Sequence, residues 1–146
     1  MTIHESTYNQ ILTNCSSSTV ETGGIIGGKD GIITEFIFDK RPGSPSRYYP
    51  DVEKLNAAID RWQQKGISFY GIVHTHLQNA PELSHGDKEY ILTIMEAMPT
   101  YISRLYFPIV VPGKGLTSHK AVRVHNKINI ISDDIKIIQK GEAYEK

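Results

Sequence analysis

Among its 146 residues the chain has a single cysteine, Cys15. A lone thiol forms no intramolecular disulfide and no multi-cysteine zinc site, which removes disulfide scaffolds and zinc fingers from consideration. Excess charge is missing as well. Sixteen basic residues balance sixteen acidic ones, and division at residue 73 leaves −1 in the first half and +1 in the second. Nucleic acid and anionic membranes reward clustered Lys and Arg, so direct contact with either is not expected. No apolar run approaches the roughly 18 residues of a membrane span, and the polar start from Thr2 to Gln10 lacks the apolar stretch of a secretory leader. The expectation is one cytoplasmic domain over residues 1–146. Repeats and low-complexity tracts are absent. What is present is ordinary globular material, 39% hydrophobic with 12 glycines. A domain of this length buries roughly 70% of its unfolded surface, so no metal is needed merely to fold.

Helical and extended patterns are mixed. Glu5 to Ser17 is weakly helical. Thr22 to Gly28 and Ile32 to Asp39 read as strands joined through Lys29-Asp30-Gly31, since Asp-Gly favours a tight hairpin turn. The prolines in Arg41-Pro42-Gly43-Ser44-Pro45-Ser46-Arg47 exclude a ladder and mark a loop. Val52, Leu55, Ile59 and Trp62 form one helical stripe, capped by Asp51 and closed by Gly66. Ile67 to His76 reads as a mostly buried strand, and a second helix fits Ser84 to Met98, ended by Pro99. Arg104 to Val111 and Lys120 to His125 read as strands around the turn Pro112-Gly113-Lys114-Gly115. Lys127 to Lys140 reads as a hairpin bent at Ser132-Asp133-Asp134. It is either sheet core or an exposed edge that would pair with a second copy as a homodimer, with core favoured. The loops Arg41 to Arg47 and Pro112 to Ser118 are either ordinary surface or the border of a groove. Strands flanked by helices in one small unit give an α/β or α+β sandwich.

The chemistry concentrates after the buried strand. His74 and His76 are two apart, which on a strand puts both rings on one face with α-carbons ~6.5 Å apart, close enough to converge on one ion. The bland alternative is one packed and one exposed histidine. In the second helix the apolar stripe Ile91, Ile94, Met95, Met98 leads back one turn to Asp87, so the inward face begins with a carboxylate that needs a cation or donors. Alternatively, Ser84-x-x-Asp87 is a capping box in which Asp87 only reaches its own backbone. Two imidazoles, one carboxylate and a water position form the ligand set of a catalytic zinc. His85 is a weaker ligand candidate, on a polar face with Glu89, Thr93 and Glu96. Hydrolysis of an amide also needs a proton carrier. Glu21 qualifies because it precedes Thr22-Gly23-Gly24-Ile25-Ile26-Gly27-Gly28, whose first glycines admit close approach of another backbone or a substrate. An exposed acid at a strand head is the other reading, and spacing alone does not choose.

His74-Thr75-His76, seven residues, then Ser84-His85-Gly86-Asp87 resembles the His-x-His-x7-Ser-x-x-Asp signature of the JAMM motif in JAB/MPN-domain (Mov34/MPN/PAD-1) zinc metalloproteases. Glu21-Thr22-Gly23-Gly24-Ile25-Ile26-Gly27 is similar to the segment that supplies the family's acid. The likeness runs from about residue 8 to 125 and is to the compact bacterial members. It implies a single mixed, curved sheet flanked by helices, a JAB/MPN fold resembling cytidine deaminases. Deaminase chemistry itself is excluded, because its Pro-Cys-x-x-Cys needs two cysteines. It implies that His74, His76 and Asp87 bind Zn2+. Glu21 would deprotonate the zinc-bound water and protonate the leaving amine, and Ser84 would donate to the oxyanion. One departure is Leu77 where the family usually has proline after the second histidine, which bears on the shape of the loop from Leu77 to Leu83.

The implied function is a deubiquitinase-like metallopeptidase or isopeptidase. It would cut a peptide or isopeptide bond after the tail of a ubiquitin-like or sulfur-carrier protein, with the tail added as a strand beside the site. The chain lacks the large insertions by which eukaryotic members grip ubiquitin chains. The competing expectation is a catalytically silent MPN-type scaffold, or an accessory protein in a defence or nucleic-acid-associated system.

Overall fold

The computed structural model describes residues 1–41, 43–45, 48, 50–77 and 80–139. Pro42, Ser46 and Arg47 of the proline-rich loop, and Lys140 at the end of the expected hairpin, lie outside the described residues. The order is β1 (Thr2–His4), α1 (Glu5–Asn14), β2 (Gly23–Lys29), β3 (Ile32–Asp39), α2 (Val52–Gln64), β4 (Ser68–Thr75), α3 (His85–Ala97), β5 (Arg104–Tyr106), β6 (Ile109–Val111), β7 (Gly115–Val124), β8 (Lys127–Asp133) and β9 (Lys136–Ile138).

Among the described residues the strands form one mixed sheet in the order β5-β7-β6-β4-β2-β3-β1-β9, with β8 paired to β7. Strand periodicity sorts its side chains onto two faces. Ile25, Ile72, Ile109 and Val111 pack with Leu55, Ala58 and Trp62 of α2 and Ile91 and Met95 of α3. Their neighbours Ile26, Val73 and Val110 turn the other way, onto Ile11 of α1 and Cys15. The result is a sheet with α2 and α3 on one face and α1 on the other, the α/β arrangement expected.

Local signals act as read. Asp30 and Gly31 turn β2 into β3 with positive φ of 54° and 79°. The Asp51 side chain accepts from the Lys54 backbone N–H to cap α2, and Gly66 follows the helix at φ 73°. Val52 is a correction: it is 60% exposed, so the buried stripe of α2 starts at Leu55 and includes Ala58. Position 52 is the first helical residue and lies beyond the edge of the sheet-facing stripe.

Two strand expectations are also corrected, and one strand had no counterpart among them. Arg104 to Val111 is two strands, because the chain breaks at Phe107-Pro108 and β6 moves up along β4 while β5 meets it at Gly71. The polar start contains β1, whose single buried side chain, Ile3, gives too little alternation to register as a strand. The segment from Lys127 to Lys140 is not a hairpin. β8 returns along β7 through a two-residue turn at His125 and Asn126, both at positive φ, and β9 leaves to pair in parallel with β1 at the far edge. Its placement is mixed: Ile128 and Ile130 of β8 pack on the core, whereas Ile131 is 47% exposed.

An anchor lies just before β9. The Met1 ammonium donates to Asp133 Oδ2 at 2.6 Å and to the Asp134 carbonyl at 2.7 Å, Ser118 Oγ donates to the same carboxylate at 3.2 Å, and Lys120 Nζ lies 3.4 Å away. Burial pushes the Asp133 carboxyl up, but these donors and charges outweigh it and hold it below its ordinary range. A depressed carboxyl contributes stability that is full above its unfolded pKa of about 3.9 and is lost as pH falls through the folded value. Asp133→Asn is therefore expected to cost about 1 kcal/mol at neutral pH. Urea midpoints of the variant and the parent should draw together as pH drops below about 4.

Candidate metal centre

β4 continues its alternation past the core. Ile72 lies on the α2/α3 face, and at i+2 and i+4 so do His74 and His76. α3 starts on that same side, and its Ser84–Asp87 end meets the two rings. His76 Nε2 is 3.0 Å from both His74 Nε2 and Asp87 Oδ2, and His74 Nε2 is 3.3 Å from Asp87 Oδ1. One ligand atom from each of the three residues falls within 4.8 Å of the others. Asp87 does more than cap its own helix. It completes the capping box, accepting from the Ser84 backbone N–H at 2.9 Å while Ser84 Oγ accepts from the Asp87 N–H at 3.0 Å, and it still faces the histidines.

The donor chemistry defines what fits. His76 Nδ1 lies 2.8 Å from the Ala80 carbonyl, which can only accept, so Nδ1 carries the proton and Nε2 of the neutral ring presents a lone pair. That lone pair faces a carboxylate oxygen and a second imidazole nitrogen. Three electron-rich atoms this close require a positive charge among them, either a proton or a cation. Burial opposes a charged His76, but hydrogen bonds to Asp87 and Ala80 override it and raise its pKa. Asp87 is likewise held far below the carboxylate range, since donation from both rings outweighs its burial. A divalent ion suits the same three atoms, and the carbonyl-bound Nδ1–H is the usual outer partner of a metal-binding histidine.

Glu21 enters the same cleft from the head of β2 and is 7% exposed. Its backbone pairs with the proline-rich loop, N–H to the Ser44 carbonyl at 2.8 Å and carbonyl from the Gly43 N–H at 3.0 Å. Burial raises its pKa, the charged forms of His76 and His74 oppose this, Asp87 adds to it, and the Leu77 N–H donates to its carboxylate. β2 itself can sit this close to its neighbours because a Cβ on Gly23 would come within 2.3 Å of the Val73 carbonyl and 2.7 Å of the Tyr48 ring. The approaching backbone is thus the neighbouring strand.

The five residues singled out, Glu21, His74, His76, Ser84 and Asp87, all line one cleft of 890 Å³. His85 does not join them; it is exposed and pairs with Glu89 at 2.8 Å. Residues 112–118, left open between ordinary surface and groove border, are not among those that line the cleft. The wall on the loop side comes from Tyr48 and Pro50, just beyond the segment expected to border it. Tyr48 is fixed by donating to Asp39 Oδ2 at 2.7 Å, and burial together with that bond pushes its phenol above the usual range. Buried Asp39 also accepts from the Asp51 and Arg41 N–H groups at 2.8 and 3.0 Å, closing the loop. Tyr48 and Tyr90 went unnoticed in the sequence, where a tyrosine in a loop or on a polar helix face carries no distinguishing pattern. The Ala80 carbonyl and the Leu77 N–H carry no side-chain signal at all.

A mixed α/β sandwich with a His, His, Asp cluster at the end of a central strand can be compared with known proteins. The fold is that of JAB1/MPN domains, as the motif resemblance implied. It is similar to AF2198, a JAB1/MPN domain protein from Archaeoglobus fulgidus, with a TM-score of 0.55 at 15% identity over 95% of this chain and 97% of that one. It is also similar to protein DSY2949 from Desulfitobacterium hafniense, with a TM-score of 0.68 at 15% identity over 98% and 96%. In sequence it is 32% identical over 80 residues to a desampylase of Pyrococcus furiosus, which is 54% of this chain and 57% of that relative. No protein-family model matches the chain. Among the described residues no helix is long and apolar enough to cross a membrane.

Proposed function

We propose that the chain is a zinc-dependent metallopeptidase or isopeptidase, cutting the bond that follows the tail of a ubiquitin-like or sulfur-carrier protein. The observation that carries this is the convergence of His74, His76 and Asp87 in one cleft with Glu21. The likeness to a desampylase supports a ubiquitin-like modifier as substrate. Zinc, when bound by two imidazoles and a carboxylate, supplies Lewis-acid polarisation of a carbonyl and acidifies water. The remaining work falls to the chain. Glu21, its carboxyl raised by burial, takes a proton within the cleft and passes it to the leaving amine. The Ser84 oxygen is occupied in accepting from Asp87, which leaves its hydroxyl proton for the oxyanion. Tyr48 and Tyr90 offer apolar flanks to an extended tail.

Ubiquitin-like proteins extended by a peptide past the tail provide the test. Zinc-loaded protein is expected to release the extension, a chelator to stop release, and added zinc to restore it. Intact fusions after prolonged incubation with zinc-loaded protein would refute the assignment.

A further inference from the structure

The segment between the two halves of the metal cluster is held from an unexpected side. None of the described residues between Leu77 and Ser84 belongs to a helix or strand, yet the Ala80 carbonyl must stay in place to keep the proton on His76 Nδ1. The next carbonyl along the chain, that of Pro81, accepts two side-chain hydrogen bonds from β7: Thr117 Oγ1 donates at 3.1 Å and His119 Nε2 at 3.0 Å. Thr117 and His119 are two apart on one strand and so share a face, the face on which Ala121 joins the α2/α3 core. β7 is itself firmly placed, paired with β5, β6 and β8. Between the Ala80 and Pro81 carbonyls the planar peptide and the proline ring leave only the ψ of Pro81 to turn. Holding the second carbonyl therefore narrows the range open to the first.

We propose that Thr117 and His119 are positioning residues for His76. By clamping the Pro81 carbonyl they hold the Ala80 carbonyl on His76 Nδ1, and so keep Nε2 turned toward His74 and Asp87. His119 is not a metal ligand in this arrangement; its Nε2 is committed to the carbonyl. The inference rests on the metal-site reading given above, but its central consequence, the tautomer of His76, exists without any metal.

The test is a Thr117→Val, His119→Leu double variant of the full chain, set against Thr117→Ser, His119→Gln, which keeps both donors. In metal-free protein at alkaline pH, with the rings neutral, the ring 15N spectrum should show His76 in the Nδ1–H form for the parent and the conservative variant. The donor-less variant should show a mixture of tautomers. Its zinc affinity, measured by chelator competition, should fall about 10-fold and return in the conservative variant, as expected of an outer-sphere defect. Thermal unfolding that tracks the parent separates this from loss of structure, and each single variant gives a milder case should the double one unfold. A pure Nδ1–H signal in a folded donor-less variant would overturn the proposal. Absence of zinc binding by the parent would instead count against the metal-site reading and leave the tautomer result to judge the clamp.

Discussion

Glu21→Gln is expected to keep its zinc and lose hydrolysis by about 10²- to 10⁴-fold, the usual contribution of a positioned acid–base group. The glutamine carbonyl can still accept from the Leu77 N–H, and the backbone pairs with Ser44 and Gly43 do not depend on the side chain. What disappears is the ability to take and return a proton. His74→Ala should behave differently, losing both metal and hydrolysis, because the remaining two groups make a poor closed set for a divalent ion. Metal analysis of the purified variants beside a fusion-cleavage assay distinguishes the cases. Full hydrolysis by Glu21→Gln would remove Glu21 from the chemistry.

A second large effect is structural. Trp62→Ala should destabilise the fold by about 3–5 kcal/mol, a large part of the 5–15 kcal/mol typical of a domain. The indole is 5% exposed and lies directly on β2, where a Cβ on Gly27 would come within 2.7 Å of the ring. The glycine there has no side chain of its own to help fill the space left by alanine. Urea unfolding should show the midpoint falling sharply with little change in slope. A loss below about 1 kcal/mol would mean that α2 is not packed through Trp62.

The elements legible in the sequence were those with a strong local cause. Asp51 and Ser84 announce α2 and α3 by capping chemistry, Asp30-Gly31 announces the β2–β3 turn, and the two-residue spacing of His74 and His76 places both rings on one face. The parts that escaped depend on distant partners. β1 has one buried side chain and becomes a strand only because β3 and β9 lie on either side of it. β9 lies at that edge beside a contact between Asp133 and the Met1 ammonium, 132 residues apart in the chain. Within the site the acidic and imidazole residues were visible by type and spacing. The backbone groups that orient them, the Ala80 carbonyl and the Leu77 N–H, were not, since any residue at those positions has the same atoms.

Asp87 answers to two masters three residues and one strand apart. Its bond to the Ser84 N–H is closed within a single helical turn, so bringing this ligand into line costs almost no loop-closure entropy. The arrangement also works in reverse. When the first turn of α3 frays, the carboxylate leaves the histidines with it, and an ion held there would lose one of its protein ligands in the same motion. The lifetime of an ion bound there would in this way be tied to the opening rate of one turn of helix, and such an ion would act as a staple on the start of α3.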